Sequence, residues 1–281
     1  MANCVQCGRK LPSLTFGRKI CEWCVRHEAA QRQGDSEDIA QPIMPVPWAR
    51  EHSASMRITQ ILVGINIAVF AGMSLAGVSP TEPAAQQLIH WGANWGPLTL
   101  NGEWWRLLTS IFLHIGFLHI AFNMWCLWNL GQLAESLYGS GTYAGFYLVS
   151  GLAASVTSVA WHPVSICAGA SGAIFGIAGA LIASFYLGEF SLPRAAIQGA
   201  LKSVVIFAAF NLIFGALPGS TDNAAHIGGL VTGLLLGALM AKLAPMRENL
   251  LLRFSILTVF LSMIFVWTAW LQHVRHYSIQ M

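Results

Sequence analysis

Residues 226–237 read HIGGLVTGLLLG, an uncharged stretch in which glycine recurs at every fourth position. Gly229, Gly233 and Gly237 therefore share one face of a helix. Small residues at this spacing let two membrane helices approach until their backbones nearly touch. The stretch predicts a membrane helix that packs closely on a second helix and has His226 in its first turn.

A second apolar stretch, which begins CAGASGAIFG at residues 167–176, supplies a matching small face with Gly172 and Gly176. Contact between the two faces would bring Ser171 Oγ within hydrogen-bond reach of His226, as an activated serine requires. Taken singly, a serine or a histidine in a membrane helix more often serves packing or an internal hydrogen bond. The nucleophile hypothesis therefore depends on the two residues meeting.

The composition of the whole chain is typical of a polytopic membrane protein. Of its 281 residues, 55 % are hydrophobic and 10 % are charged, whereas soluble domains carry about 25 % charged residues. The lipid bilayer is the expected partner, and no basic patch indicates nucleic acid. We predict seven spans, at about 58–77, 107–130, 142–160, 171–188, 195–216, 225–244 and 251–271.

Lys and Arg residues predict the orientation of these spans. With the N-terminus in the cytoplasm, that side receives thirteen of the fifteen basic residues, and the far side keeps Arg106 and Arg275. The N-terminal residues lack an apolar core and a cleavage site, so no cleavable signal peptide is expected. We predict a multi-pass protein of a bacterial inner membrane with a cytoplasmic N-terminus.

Four cysteines near the N-terminus form two C-x2-C pairs, CVQC at 4–7 and CEWC at 21–24. This spacing suits tetrahedral coordination of zinc by thiolates, and a reducing cytoplasm favours a metal over disulfides. So short a module needs such a ligand in order to fold. We predict a structural Zn²⁺ in a zinc-ribbon-like module; two disulfides or free thiols are the alternatives. The ligands would be Cys4, Cys7, Cys21 and Cys24.

The second predicted span carries His114, His119 and Asn123 close together, in LHIGFLHIAFN. Polar groups at membrane depth are costly and tend to mark function. His119 and Asn123, about three to four turns along this span, share a helix face. They suit the donors of an oxyanion hole, together with the backbone N–H of Ser171. On a continuous helix His114 would lie about 140° from His119, which argues against a shared metal site.

The long connection between the first two spans, residues 78–106, contains four of the eleven tryptophans and is called here the Trp-rich segment. Such aromatic density is typical of a membrane interface, and so long a connection is unusual without a role. We expect His114 to anchor this segment. The tryptophans are Trp91, Trp95, Trp104 and Trp105.

These motifs resemble the rhomboid family of intramembrane serine proteases. The resemblance covers residues 58–244 and rests on four motifs in family order. They are EWWR at 103–106, HIGFLHIAFN at 114–123, GASG at 169–172 and AHIGGLVTG at 225–233.

The resemblance implies a six-helix core and a catalytic dyad without a third member or a cofactor. Ser171 would be the nucleophile and His226 the general base. His119 and Asn123 match the positions that stabilise the oxyanion. A structural motif would comprise Trp105, Arg106 and His114. The implied substrates are transmembrane proteins, cleaved within or near their membrane segments.

Two features differ from the family pattern. Phe175 stands where the family often has a tyrosine that stacks on the catalytic histidine, so the ring face is kept. The seventh span and the cysteine module lie outside the six-helix core. We predict an all-α membrane protein with a module at 1–27, a flexible linker at 28–57, the protease core at 58–244 and an additional helix and tail at 245–281.

Three other functions are alternatives to proteolysis. A catalytically inactive rhomboid relative that binds membrane clients would lack the serine or the histidine, and this chain has both. A transporter or channel would need polar residues at the midplane of several spans. A redox or metal-delivery protein would depend on the four N-terminal cysteines.

Overall fold

A computed structural model describes residues 3–7, 20, 21, 24, 57–188, 194–215, 222–243 and 249–275. The chain divides into two compact units, which are described separately. One comprises Met1–Ser53 and Phe190–Ala200, and the other comprises Ala54–Glu189 and Leu201–Met281. The predicted linker at 28–57 lies outside the described residues except for Arg57.

The described part of the chain is helical, and a long helix is present at each of the seven predicted spans. The long helices are α1 (Arg57–Leu75), α5 (Phe117–Tyr138), α6 (Ser140–Trp161), α7 (Ser171–Leu187), α8 (Arg194–Gly215), α9 (Asn223–Lys242) and α10 (Leu250–Val274). Between α1 and α5 lie three short helices and a 3₁₀ turn. These are α2 (Ala85–His90), α3 (Gly96–Thr99), α4 (Arg106–Thr109) and the turn Ser110–Phe112. The predicted all-α fold class is confirmed.

By length and composition, α1, α6, α9 and α10 are able to cross a bilayer. The pair Arg106–Phe112 and Phe117–Tyr138 makes a fifth span if its two helices, bent by 89°, are counted together. The helix Ser171–Leu187 and the part Ile197–Ile213 of α8 are apolar but shorter. These helices identify a multi-pass membrane protein.

The structure corrects the second predicted span, 107–130. Its main helix, α5, begins only at Phe117, because the chain turns at Gly116. The φ of Gly116 is +96°, and a Cβ added there would lie 3.0 Å from the carbonyl oxygen of Thr81. His119 and Asn123 therefore lie in the first two turns of α5, not three to four turns along a span.

The core is built on the close contact of α7 with α9. A Cβ added to Gly229 would overlap the carbonyl oxygen of Gly172, and one added to Gly233 would overlap that of Gly176. The backbones touch wherever these glycines meet, which confirms the helix contact predicted from their spacing. Helix α6 packs against the same place, since a Cβ on Gly176 would also overlap the side chain of Ser150.

A buried carboxylate attaches α1 to this core. Glu135 of α5 accepts the backbone N–H groups of Ile58 at 3.0 Å and Thr59 at 2.9 Å. It also accepts the hydroxyls of Thr59 at 2.8 Å and Ser140 at 2.7 Å. The first N–H groups of a helix have no partner within it and favour a negative charge. Glu135 therefore fixes the N-terminus of α1 beside the junction of α5 and α6.

The backbone contact predicts a sharp difference between two glycines. We expect Gly233→Ala to lower the free energy of unfolding by about 1–3 kcal/mol, because the new methyl group must push α9 away from Gly176. Gly64→Ala is the matched control, since among the described residues no atom beyond its chain neighbours and the adjacent backbone of its own helix lies within 4 Å of its added Cβ. It should leave stability unchanged or raise it by up to about 1 kcal/mol. Equal thermal unfolding of the two variants in detergent would contradict the α7–α9 contact.

Candidate active site

The N-terminal ends of α7 and α9 bring a serine and a histidine together. Ser171 is the first residue of α7, and His226 lies in the first turn of α9. Nε2 of His226 is 3.0 Å from Oγ of Ser171, which is the separation expected between a serine nucleophile and its base. The two residues face each other because the helix backbones touch beside them, at Gly172 and Gly229.

An aromatic ring supports the imidazole of His226. The Phe175 ring stacks on it with centroids 4.2 Å apart and an interplanar angle of 13°. Nδ1 of His226 has no hydrogen-bond partner among the described residues. The nearby carboxylate of Asp222 instead accepts the Ala225 N–H at 3.1 Å and the Ser158 hydroxyl. In this part of the structure the geometry is that of a pair rather than a triad.

His119 lies beside the residues that precede Ser171. The N–H of Ile115 donates to Nδ1 of His119 at 3.3 Å, so in the neutral ring Nε2 carries the proton. A Cβ on Gly169 would lie 3.0 Å from this Nε2 and 3.7 Å from Ser171 Oγ. The Nε2–H donor and the serine hydroxyl therefore flank the same glycine.

Asn123 is buried one turn further along α5. Its side-chain amide donates to the carbonyl oxygen of His119 at 2.9 Å. A primary amide has two hydrogens, so this bond leaves a second donor. The structure thus places His119 and Asn123, the two predicted oxyanion residues, one turn apart on α5. Their role in stabilising an oxyanion stays a prediction.

Backbone hydrogen bonds hold the segment that leads to Ser171. Cys167 and Asn94 exchange N–H···O bonds of 2.9 and 3.0 Å, and the Gly169 N–H donates to the carbonyl of Ser110 at 2.9 Å. The side chain of Asn94 is itself fixed, because its amide donates to the Ser155 carbonyl at 2.8 Å. No local sequence pattern marks Asn94, because its partners are distant along the chain.

His114 contacts this segment, which differs from the predicted anchoring of the Trp-rich segment. Nε2 of His114 accepts the N–H of Ala170 at 3.5 Å, immediately before Ser171. The estimate of about 140° between His114 and His119 is wrong, because His114 precedes α5 and the two residues do not share a continuous helix. Their ring centroids are 5.3 Å apart.

Arg106 binds parts of the Trp-rich segment to one another. Arg106 is only 5 % exposed. Its guanidinium donates to the Glu103 carboxylate at 2.6 Å and to the carbonyls of Ile89 and Ala93. The Trp105 ring lies 4.7 Å from this cation. These contacts fit the structural role that the resemblance implies for Trp105 and Arg106.

The smaller unit brings its four N-terminal thiols together. All four sulfur atoms lie within 4.8 Å of one another, with Cys4 and Cys24 3.9 Å apart and Cys7 and Cys21 3.5 Å apart. Thiolates around one tetrahedral Zn²⁺ are separated by about 3.8 Å, whereas a disulfide requires about 2.05 Å. The cluster therefore fits a metal ion better than two disulfides.

The protein environment gives two of these thiols different acidities. The backbone N–H of Cys21 donates to Cys4 Sγ at 3.2 Å and lowers the pKa of Cys4 to about 6. Burial raises the pKa of Cys24 to about 12. A bound cation favours the thiolate at both positions, because coordination deprotonates a thiol.

A comparison with known families decides the identity of this fold. A family model described as the rhomboid domain matches residues 101–243. The chain belongs to the rhomboid family. This confirms the family that the motifs predict.

Named relatives span bacteria and plants. This rhomboid chain is 34 % identical to rhomboid protease AarA of Providencia stuartii over 211 residues, which cover 67 % of the chain and 74 % of AarA. It is 37 % identical to rhomboid protease GluP of Bacillus subtilis (strain 168) over 180 residues, 64 % of the chain but 34 % of GluP. It is 36 % identical over 159 residues to the mitochondrial RHOMBOID-like protein 6 of Arabidopsis thaliana, of which it spans 51 %.

Proposed function

We propose that this rhomboid is an intramembrane serine endopeptidase that cleaves transmembrane proteins with a Ser171–His226 dyad. The 3.0 Å contact between His226 Nε2 and Ser171 Oγ carries the proposal. Relatives named as rhomboid proteases support it. The proposed core comprises residues 58–244, with the module at 1–27, the linker at 28–57 and the added helix and tail at 245–281 outside it.

In the proposed reaction, Ser171 Oγ attacks the carbonyl carbon of the scissile peptide bond while His226 Nε2 accepts the hydroxyl proton. The C–N bond then breaks, His226 returns the proton to the leaving amine, and an ester remains on Ser171. A water molecule, deprotonated by His226, attacks this ester. The carboxylic product leaves and the serine hydroxyl is restored, so the cycle needs no cofactor.

The oxyanion formed in each attack needs preorganised donors. The N–H of Ser171 is available because it belongs to the first turn of α7. Nε2–H of His119 and the second amide hydrogen of Asn123 are the proposed side-chain donors. The tautomer of His119, set by the Ile115 N–H, supports this role.

We also propose a cytoplasmic N-terminus in a bacterial inner membrane, with the dyad in the outer half of the bilayer. The excess of Lys and Arg on the N-terminal side of the predicted topology supports this orientation. The alternative, an inactive rhomboid that only binds membrane clients, would not require a serine and a base in contact.

Replacement of either member of the dyad tests the proposed activity. Ser171→Ala and His226→Ala should each lower cleavage of a single-span substrate in liposomes by several orders of magnitude, and the double variant should be little slower. Ser255→Ala is the matched control, because among the described residues this exposed hydroxyl bonds the carbonyl of Leu251 in its own turn of α10. Comparable turnover by Ser171→Ala and wild type would reject the dyad.

The oxyanion donors should affect rate without deciding whether the serine reacts. We expect His119→Ala and Asn123→Ala each to slow cleavage by about 10²–10³ while a fluorophosphonate still labels Ser171. Asn129→Ala is the control, since Asn129 makes the same type of bond within α5, to the Trp125 carbonyl at 2.7 Å. If both test variants cleave at the wild-type rate, the donors lie elsewhere.

We propose one structural Zn²⁺ on Cys4, Cys7, Cys21 and Cys24. Metal analysis should find about one zinc per full-length chain, and none after truncation near Ser53 or replacement of all four cysteines by serine. Cys126→Ser should keep the metal. Because the proposed topology separates the cytoplasmic module from the dyad, both metal-free proteins should still cleave a generic substrate. Complete inactivation with the membrane helices intact would show that the module is coupled to catalysis.

A further inference from the structure

Asp222 is the carboxylate closest in sequence to His226, and it fixes the start of the helix that carries this base. Asp222 Oδ1 accepts the N–H of Ala225 at 3.1 Å, and its carbonyl oxygen accepts the N–H of His226 at 3.2 Å. Such a cap pairs an N–H group that the first helical turn leaves without a partner. The position of α9 at His226 therefore depends on where Asp222 is held.

The other carboxylate oxygen holds Asp222 against α6. Oδ2 accepts the hydroxyl of Ser158, a residue that is 1 % exposed, so water does not compete for this bond. The helices also touch here, because a Cβ on Gly228 would overlap the side chain of Thr157. The first turns of α9 are thus fastened to the last turns of α6.

The same carboxylate faces the segment that leads to Ser171. The Cys167 thiol lies within reach of both Ser158 and Asp222, and burial, followed by the Asp222 charge, raises its pKa well above the usual range. Cys167 is also bonded through its backbone to Asn94. Asp222, four residues before the histidine, therefore lies beside Cys167, four residues before the serine.

The imidazole has few other restraints. Nδ1 of His226 is without a hydrogen-bond partner in the described part of the chain, and the Phe175 ring fixes its plane but not its position along α9. The Nε2–Oγ separation then depends on the placement of α9 itself. A misplacement of about 1 Å costs about 10² in rate when reacting groups must be aligned.

We propose that Asp222 and Ser158 are a positioning pair, whose shared hydrogen bond sets the distance between the base and the nucleophile by locking the start of α9 to α6. The pair rests on the proposed function of the dyad and touches none of the reacting atoms. It acts through the helix and not as a third catalytic acid, since Asp222 bonds Ser158 and Ala225, while Nδ1 of His226 has no hydrogen-bond partner among the described residues.

The test uses the full-length chain in liposomes, with kcat and KM for a single-span substrate and the rate of fluorophosphonate labelling of Ser171. Asp222→Ala and Ser158→Ala should each lower kcat and the labelling rate by about 10- to 100-fold and leave KM unchanged. Because both variants remove one shared bond, the double variant should be no slower than Asp222→Ala. Asp222→Asn should recover most of the rate, because its amide oxygen caps α9 and its amide nitrogen can bond Ser158.

Asn249→Ala is the matched control for the lost cap. Asn249 caps α10 in the same way, accepting the N–H of Leu252 at 3.0 Å, but α10 carries no residue of the dyad. The kcat of Asn249→Ala should equal that of the wild type, and so should the kcat of Ser255→Ala. Ser158→Ala keeps the cap and so tests the pair even if Asp222→Ala fails to fold.

Three results would overturn the positioning pair. The first is labelling of Ser171 at the wild-type rate in Asp222→Ala and Ser158→Ala. The second is an equal loss of kcat in Asn249→Ala. The third is a loss of about 10⁴ in kcat in Asp222→Asn, which would make Asp222 the third member of a triad. Failure of the proposed function is seen separately, as cleavage that Ser171→Ala does not abolish. If the wild type cleaves no model substrate, the labelling rate of Ser171 still ranks the variants, since it needs an aligned base but no substrate recognition.

Discussion

Backbone contact between α7 and α9 is the constraint on which the site depends. Gly229 meets the carbonyl of Gly172, and Gly233 meets that of Gly176, with no space for a side chain between them. In lipid, apolar side chains gain little by leaving their surroundings for one another, so helix association depends on close packing of small residues. The same closeness brings Ser171 to a histidine 55 positions later in the chain.

A second constraint is that polar backbone inside a membrane protein must find partners within the protein. The non-helical residues before Ser171 meet it by bonding to Asn94, Ser110 and His114. The Trp-rich segment meets it through the guanidinium of Arg106, which bonds two carbonyls. The residues that satisfy the backbone are therefore also those that fix the irregular segments around the serine.

Features with a local pattern were predictable from the sequence, and those that depend on distant partners were not. The glycine spacing shows the helix contact directly, and the serine and histidine stand out as polar residues in apolar stretches. The turn at Gly116 lies inside a continuous apolar run, so the sequence pattern predicts one continuous span where the structure has two helical segments. Glu135 carries no local signal, because its role as a cap depends on Ile58 and Thr59, which lie at the start of α1 and far from Glu135 in the sequence.

Helix α6 is the element to which the separate parts of the site are bonded. The Ser155 carbonyl receives the Asn94 amide, and the Ser158 hydroxyl donates to Asp222, so α6 contacts both the nucleophile's segment and the base's helix. The helix of the seventh predicted span, α10, packs on α6 as well. The contact is close, since a Cβ on Gly145 would overlap the side chain of Leu257. A helix added outside the six-helix core thus supports the frame of the site without reaching its reacting atoms.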